Sequence, residues 1–229
     1  MKLKEKLILV LINSFMNSNH NDLEKIEDGL SNKLIYRKIE KNNTKIIIDF
    51  SKDKREFENF LNVYEILLKV NISIPKIYEV NQQQYKIYMQ DFGNDRFNKI
   101  YNKDNLYNLL KLAVDNIIII QNETNLKNLK NLKGYNFDNL KIELKEFVTF
   151  YISNNKNSNF PTSKFYELWE NIFYSLKYNM KNFAHKDFEF VNLFFLENHE
   201  SHLQCGIIDF QSAFIGFIGW DLISLLENP

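Results

Sequence analysis

Apolar positions change their spacing before the middle of the chain, from short strand-like runs to long helical repeats. Helical spacing with one apolar side predicts a helix over residues 53–70. Short apolar runs bounded by polar turns predict four strands, at Leu23–Ile26, 34–39, 45–50 and 85–89. Residues 23–93 are therefore predicted to combine strands with one helix.

The remainder of the chain shows the 3.6-residue spacing of amphipathic helices. Three helices are predicted, over residues 105–121, 137–152 and 161–182, with Pro161 at a permitted first-turn position. A further amphipathic helix is predicted near the start, from apolar residues at 7, 8, 11, 12, 15 and 16. Its apolar run is short and lacks a small-residue cleavage site, which distinguishes it from an export signal.

Composition places the chain among globular proteins, with 45% hydrophobic and 25% charged residues. Lys and Arg number 29 and so do Asp and Glu, so charge predicts neither nucleic acid nor an anionic membrane as a partner. No apolar run is long enough to span a bilayer. Cys205 is the single cysteine, which excludes an internal disulfide, favours the reducing cytoplasm and predicts a buried thiol.

Candidate chemistry is concentrated in residues 185–209. Asp187 lies two residues after His185, Asn192 follows Asp187 by five positions, and Asp209 ends a short apolar strand. Phosphoryl transfer needs a carboxylate to steer the hydroxyl proton, together with carboxylate and amide oxygens for Mg²⁺. We therefore predict Asp187 as the base and expect a hairpin to bring Asn192 and Asp209 together as metal ligands.

The ordered pattern H-x-D-x-x-x-x-N, I-D-F and Asp221-Leu222 resembles the aminoglycoside phosphotransferase/choline kinase superfamily. Within it, residues 208–226 are most similar to the anomeric N-acetylmuramate and N-acetylglucosamine kinases of cell-wall recycling. The resemblance implies an α+β, bilobal protein-kinase-like fold, in which residues 72–78 form a further strand. Residues 1–93 would form a small lobe of antiparallel sheet plus helix, ending in a linker, and residues 94–229 a mainly helical large lobe. Related kinases continue further, so the C-terminal part is expected to be truncated.

The resemblance also implies a nucleotide site for ATP. The turn at residues 28–32 resembles a phosphate-covering loop, in which Ser31 and Asn32 would hold phosphate oxygens, although a plain hairpin is the alternative. In the linker, the carbonyl of Gln90 and the N–H of Phe92 would read the adenine ring. In the large lobe, His185 would be structural and Asp221 would brace the catalytic loop.

Two positions depart from the family pattern. The third strand carries Ile48 where kinases place a phosphate-binding lysine, for which Lys45 or Lys33 could substitute. The usual partner of that lysine would lie on the helix over residues 53–70, where Glu56 and Glu58 are both candidates. Solvation of the helix is the favoured role of each. Ser212 stands where the sugar kinases usually carry an aspartate.

These motifs predict an ATP- and Mg²⁺-dependent kinase that phosphorylates the C1 hydroxyl of an N-acetylated amino sugar. Choline, ethanolamine or an aminoglycoside is the alternative substrate, and an amine would need a carboxylate-rich pocket, with residues expected beyond Pro229. A pseudokinase that acts as a binding module is the alternative of another class. The oligomeric state is left open.

Overall fold

The computed structural model describes residues 23–26, 33–40, 43–124, 129–152, 160–176 and 180–227. The predicted helix over residues 7–16 and the turn at 28–32 lie outside this part of the chain. Two compact units are present, one formed by the chain up to Phe57 with Pro75–Gly93, the other by Glu58–Ile74 with the chain from Asn94 onward.

An antiparallel five-stranded sheet forms the first unit, in the order β1-β2-β3-β5-β4. Its strands are β1 (Leu23–Ile26), β2 (Leu34–Glu40), β3 (Asn43–Asp49), β4 (Ile77–Asn81) and β5 (Lys86–Gln90). On the central strands, Ile47, Ile48, Ile87 and Met89 are buried. β4 begins at Ile77, five residues later than predicted, because only residues from Ile77 onward pair with β5.

Helix α1 (Lys54–Leu67) begins in the first unit and continues in the second. Its start is capped by Asp53, whose carboxylate accepts the backbone N–H of Glu56 at 3.0 Å. In the part of the chain that the structure describes, five further α-helices belong to the second unit: α2 (Phe97–Ile100), α3 (Leu106–Glu123), α4 (Phe137–Glu146), α5 (Thr162–Leu176) and α6 (Trp220–Glu227). The helix predicted over 137–152 is α4 followed by a π-helix, Phe147–Ile152.

Two short antiparallel pairs complete the second unit. β7 (Leu193–Phe195) pairs with β8 (Cys205–Ile207), and β6 (Met180–Ala184) pairs with β9 (Phe214–Phe217). The prediction that a helix reaches residue 182 was wrong, because residues 180–184 pair with β9. Gly216 permits this close approach, since a Cβ there would lie 2.6 Å from the Phe214 ring and 3.1 Å from the Ala184 Cβ.

The core of the second unit lies around these strands. Its fully buried side chains are mostly aromatic, and include Phe183, Phe188, Phe190, Leu193, Cys205, Ile207 and Phe210. The Phe210 ring packs against Phe60 of α1 at 4.8 Å between centroids. Cys205 is buried as predicted, and burial raises the pKa of its thiol. In the described residues, every helix is too short or too polar to cross a bilayer.

Candidate functional site

Residues 185–192 connect β6 to β7 and form the loop that we call the catalytic loop. His185 begins the loop and is fully buried, with its Nε2 atom 3.0 Å from the carbonyl oxygen of Ile208. A carbonyl oxygen only accepts hydrogen bonds, so Nε2 carries the proton in this contact. His185 therefore ties the catalytic loop to the residue that precedes Asp209, which is a structural role.

Asp221 of α6 holds the backbone at the start of the catalytic loop. Its carboxylate accepts the N–H of His185 at 2.9 Å and that of Lys186 at 3.1 Å. Lys186 has φ of +84°, a strained conformation for a residue with a side chain. Its carbonyl oxygen also accepts the hydroxyl of Ser224 at 2.9 Å, so three hydrogen bonds hold this strained residue and its neighbour in place.

The carboxyl of Asp221 is deeply buried, and burial raises its pKa. The nearby His185 and the two backbone N–H groups act in the opposite direction, because they favour the ionised form. Both oxygens of this buried carboxylate accept backbone N–H groups, so Asp221 braces the loop, as the resemblance implied. The same two hydrogen bonds leave it poorly placed to bind a metal.

Asp187 and Asn192 are connected by a hydrogen bond within the catalytic loop. The Nδ2 atom of Asn192 donates to the backbone carbonyl of Asp187 at 2.9 Å, which leaves Oδ1 as the atom suited to a cation. The same carbonyl accepts the N–H of Glu189 at 3.0 Å. Burial raises the pKa of Glu189, and the negative charge of Asp187 raises it further.

The β7–β8 hairpin brings Asn192 next to Ile208, the residue that precedes Asp209. Leu193 pairs with Ile207, and the N–H of Ile208 donates to the carbonyl of Asn192 at 3.1 Å. Asn192 thus lies at the end of the hairpin from which Asp209 continues. Asp209 has φ of +64°, and its Oδ1 accepts Nε2 of Gln211 at 2.9 Å.

The donor set at this end of the hairpin suits Mg²⁺. Asp209 offers a carboxylate and Asn192 an amide oxygen, which are hard ligands of the kind this ion prefers. Among the described residues there is no group of three or more His, Cys, Asp and Glu side chains that could hold a metal. Mg²⁺ commonly uses one or two protein ligands and fills its other positions with water and substrate phosphates.

The predicted linker residues lie at the end of β5, in the first unit. Gln90 pairs with Lys45 and donates its N–H to the carbonyl of Lys76 at 2.8 Å, and Phe92 follows two residues later. Between them, the carboxylate of Asp91 receives two hydrogen bonds from Arg37, at 2.6 and 3.1 Å. Sequence reasoning missed Arg37, because its partner is 54 residues away and no local motif marks the pair.

Arg37 also holds Gly93, which lies two residues after Asp91. Its Nη2 atom donates to the carbonyl of Gly93 at 2.8 Å, while Asp91 accepts the N–H of Gly93 at 2.9 Å. Gly93 has φ of +86°, a conformation that glycine adopts without strain. Burial would raise the pKa of Asp91, but the hydrogen bonds from Arg37 and Gly93 outweigh it and lower that pKa.

The phosphate side of the predicted nucleotide site is only partly described, since Ser31 and Asn32 lie outside the described residues. Ile48 is buried and pairs with Ile35 and Ile87 on the neighbouring strands. Of the two lysines considered as substitutes, Lys45 forms an ion pair with Glu40 at 2.7 Å. Lys33 is only 4% exposed and lies directly before β2.

A cavity of about 450 Å³, which we call the polar cleft, opens beside the catalytic loop within the second unit. Its lining includes Asn59, Asn62, Glu143, Glu146, Lys186 and Gln211. Tyr135 donates its hydroxyl to Glu143 at 2.9 Å, and burial together with this bond raises the pKa of the phenol. Sequence reasoning missed the polar cleft, because its walls come from segments that no single periodicity connects.

Three solved structures with similar folds indicate the architecture. The structure of the GDP and kanamycin complex of APH(2")-IIia has a TM-score of 0.55 and 15% identity, covering 97% of this chain and 78% of that one. The apo form of a thermostable mutant of aminoglycoside phosphotransferase APH(4)-Ia has 0.60 and 12%, covering 93% and 73%. Choline kinase LicA from Streptococcus pneumoniae has 0.55 and 15%, covering 97% and 73%.

No protein-family description matches the sequence, and no curated protein does. At such low identities, the structural likeness establishes the fold alone. The α+β, protein-kinase-like fold, with an antiparallel sheet followed by a mainly helical part, is thereby confirmed. The predicted resemblance to aminoglycoside phosphotransferases and choline kinase is therefore confirmed for the fold. No anomeric sugar kinase is among these three structures.

Proposed function

We propose that this protein is an ATP- and Mg²⁺-dependent kinase of small molecules, acting through Asp187, Asn192 and Asp209. The observation that carries the proposal is the convergence of these residues through the hairpin. Asn192 is bonded to Asp187 through its side chain and to Ile208, the neighbour of Asp209, through its backbone. A base and two oxygen ligands held in this way are the parts that phosphoryl transfer requires.

Each residue has a separate task in this proposal. Asp187 accepts the proton of the acceptor hydroxyl and orients that hydroxyl for attack. Asn192 and Asp209 would hold Mg²⁺, which when bound neutralises the charge of the phosphates. His185 and Asp221 touch no reacting atom and act by holding the catalytic loop.

On the nucleotide side, the proposal assigns base recognition to the backbone of Gln90 and Phe92. The double hydrogen bond from Arg37 to Asp91 supports this assignment, because it restrains the residue between them. Ser31 and Asn32 remain proposed phosphate contacts. The location that fits such an ATP-dependent protein with one buried thiol is the cytoplasm.

For the acceptor, we propose the C1 hydroxyl of an N-acetylated amino sugar. The support is the similarity of residues 208–226 to the anomeric sugar kinases, together with the amide side chains in the polar cleft. Amides offer both donors and acceptors, and they can therefore hydrogen-bond sugar hydroxyls and an acetamido group.

An amine-bearing acceptor is the second candidate, and a specific observation favours it. Glu143 and Glu146 lie one helical turn apart on α4, and both line the polar cleft. Two carboxylates on one wall favour a cationic acceptor such as an aminoglycoside or choline. They disfavour N-acetylmuramate in particular, because that sugar carries its own carboxylate.

The test is to incubate the protein with Mg·ATP and, separately, N-acetylglucosamine, N-acetylmuramate, choline and kanamycin. Mass spectrometry then identifies any phosphorylated product, and Asp187→Asn serves as the matched inactive variant. A sugar 1-phosphate supports the first acceptor, and phosphocholine or phosphorylated kanamycin supports the second. Binding of Mg·ATP without product from any acceptor would favour a pseudokinase.

Glu143→Gln separates the two acceptor classes further. A charge-assisted hydrogen bond contributes about 1.5–3 kcal/mol, so kcat/KM for an amine should fall roughly 10- to 100-fold. Phosphorylation of neutral N-acetylglucosamine should change little, because glutamine keeps the shape and an acceptor oxygen. An equal loss for both acceptors would contradict a selective contact between Glu143 and an amine.

A further inference from the structure

Gln211 makes a contact that the sequence pattern did not assign to it. The residue is only 6% exposed, and its Nε2 atom donates to Oδ1 of Asp209 at 2.9 Å. Because an ionised carboxylate only accepts hydrogen bonds, the nitrogen of the amide must be the atom that faces Asp209. A buried amide therefore commits a donor to the carboxylate proposed as the metal ligand.

Other contacts fix the backbone around Asp209. His185 holds the carbonyl of Ile208 at 3.0 Å. The Phe210 ring packs against Phe60 at 4.8 Å and against Tyr64 at 6.3 Å between centroids. Asp209 itself adopts the left-handed conformation. With the backbone held on both sides, the two side-chain torsions of Asp209 decide where its carboxylate points.

The bond from Gln211 restrains those torsions. A ligand that is already oriented loses less conformational freedom when it binds a cation, and outer partners of ligands commonly contribute about 10- to 100-fold to metal affinity. We propose that Gln211 is a positioning residue, which orients the Asp209 carboxylate for Mg²⁺. This inference rests on the metal site of the proposed function and adds the residue that sets its geometry.

Acceptor binding is the competing explanation, because Gln211 also lines the polar cleft. Ser212 offers a control for it, since this neighbouring residue lines the same cleft and is exposed. If Gln211 acts in acceptor binding, substitutions at Gln211 and at Ser212 should both have an effect, and only when an acceptor is present. If Gln211 positions the metal ligand, only substitutions at Gln211 should weaken metal binding, and they should do so without any acceptor.

The experiment measures Mn²⁺ binding, as a probe for Mg²⁺, by electron paramagnetic resonance in the presence of saturating ADP and without an acceptor. Gln211→Met keeps the length and volume of the side chain but has no donor, and its dissociation constant for Mn²⁺ should rise about 10- to 100-fold. Gln211→Asn keeps the amide on a shorter side chain and should show a smaller loss. Ser212→Ala should bind Mn²⁺ as the wild type does.

Two further measurements separate positioning from folding. The melting temperature of the free variants, and their affinity for ADP without metal, should match those of the wild type. The inference is overturned if Gln211→Met binds Mn²⁺ normally, or if its loss is matched by a fall in melting temperature or in metal-free ADP affinity. A wild type without any ADP-dependent Mn²⁺ binding would overturn the proposed metal site itself, and this inference with it.

Discussion

The side-chain amide of Asn192 donates to the backbone carbonyl of Asp187 at 2.9 Å, so one hydrogen bond connects the proposed metal ligand to the proposed base. The bond also determines which end of the amide is available to a cation. Its nitrogen faces Asp187, and its oxygen is therefore the ligand atom. Substitutions at Asn192 can separate the two tasks of this side chain.

We expect Asn192→Asp to keep Mg·ADP binding and to lose turnover. An aspartate retains an oxygen ligand, but it presents an acceptor to the Asp187 carbonyl, which removes the bond and adds repulsion. Loss of one such bond, about 1.4 kcal/mol, corresponds to roughly tenfold in rate. Isothermal titration and a coupled assay of ADP release measure the two effects.

Asn192→Ala is the control for that prediction, since it removes both the ligand and the donor. It should weaken Mg·ADP binding as well as turnover. If Asn192→Asp weakened Mg·ADP binding as much as Asn192→Ala does, the assignment of the oxygen to the metal would fail.

Asp187→Asn should bind Mg·ATP like the wild type and turn over about 10² times more slowly or worse, which is the scale expected for a general base. The substitution preserves size and leaves the backbone carbonyl of Asp187 available to Asn192. Release of ADP is measured with an acceptor that the wild type phosphorylates. Unchanged turnover would exclude Asp187 as the base.

Asp209→Ala should abolish the stabilisation of the protein by Mg·ATP, because it removes the carboxylate assigned to the metal. A thermal-shift titration with Mg·ATP measures this, since a ligand at 100 times its dissociation constant contributes about 2.7 kcal/mol. Ser212→Ala is the matched control nearby. Equal stabilisation of Asp209→Ala and the wild type would contradict the assignment.

The Arg37–Asp91 pair should contribute to the stability of the first unit. Asp91 is 3% exposed and Arg37 is 18% exposed in their side chains. Arg37→Met would leave a buried carboxylate without its main partner, at a cost of about 3 kcal/mol. Lys86→Met is the control, because the Lys86–Asp49 pair is longer, 3.4 Å, and more exposed, and its loss should cost under about 1 kcal/mol.

The same pair predicts a dependence of stability on pH. The folded pKa of Asp91 is lowered, so its stabilisation is complete above the unfolded pKa of about 3.9 and is lost as pH falls through the folded value. Urea unfolding of the wild type and of Asp91→Asn should differ at pH 7 and converge as the pH falls below about 4. A difference that stays constant down to pH 2 would contradict the lowered pKa.

The sequence by itself determined the local elements and the order of the chemical groups. The spacing of apolar residues predicted α1, α3 and the strands β1, β2, β3 and β5 to within a few residues, because side chains on one face of an element recur with its own period. The positions of Asp187, Asn192 and Asp209 relative to two short apolar runs also predicted a hairpin, since both runs lie close together in the chain.

Only the tertiary structure decided the features that depend on distant segments. Residues 180–184 are a strand because β9, some 30 residues later, pairs with them and Gly216 leaves room. Arg37 reaches Asp91 across 54 positions, and α1, α4 and the catalytic loop together enclose the polar cleft. Local periodicity does not predict such distant partners. The free energy of strand pairing, burial and charge neutralisation is gained only when the folded chain brings the partners into contact.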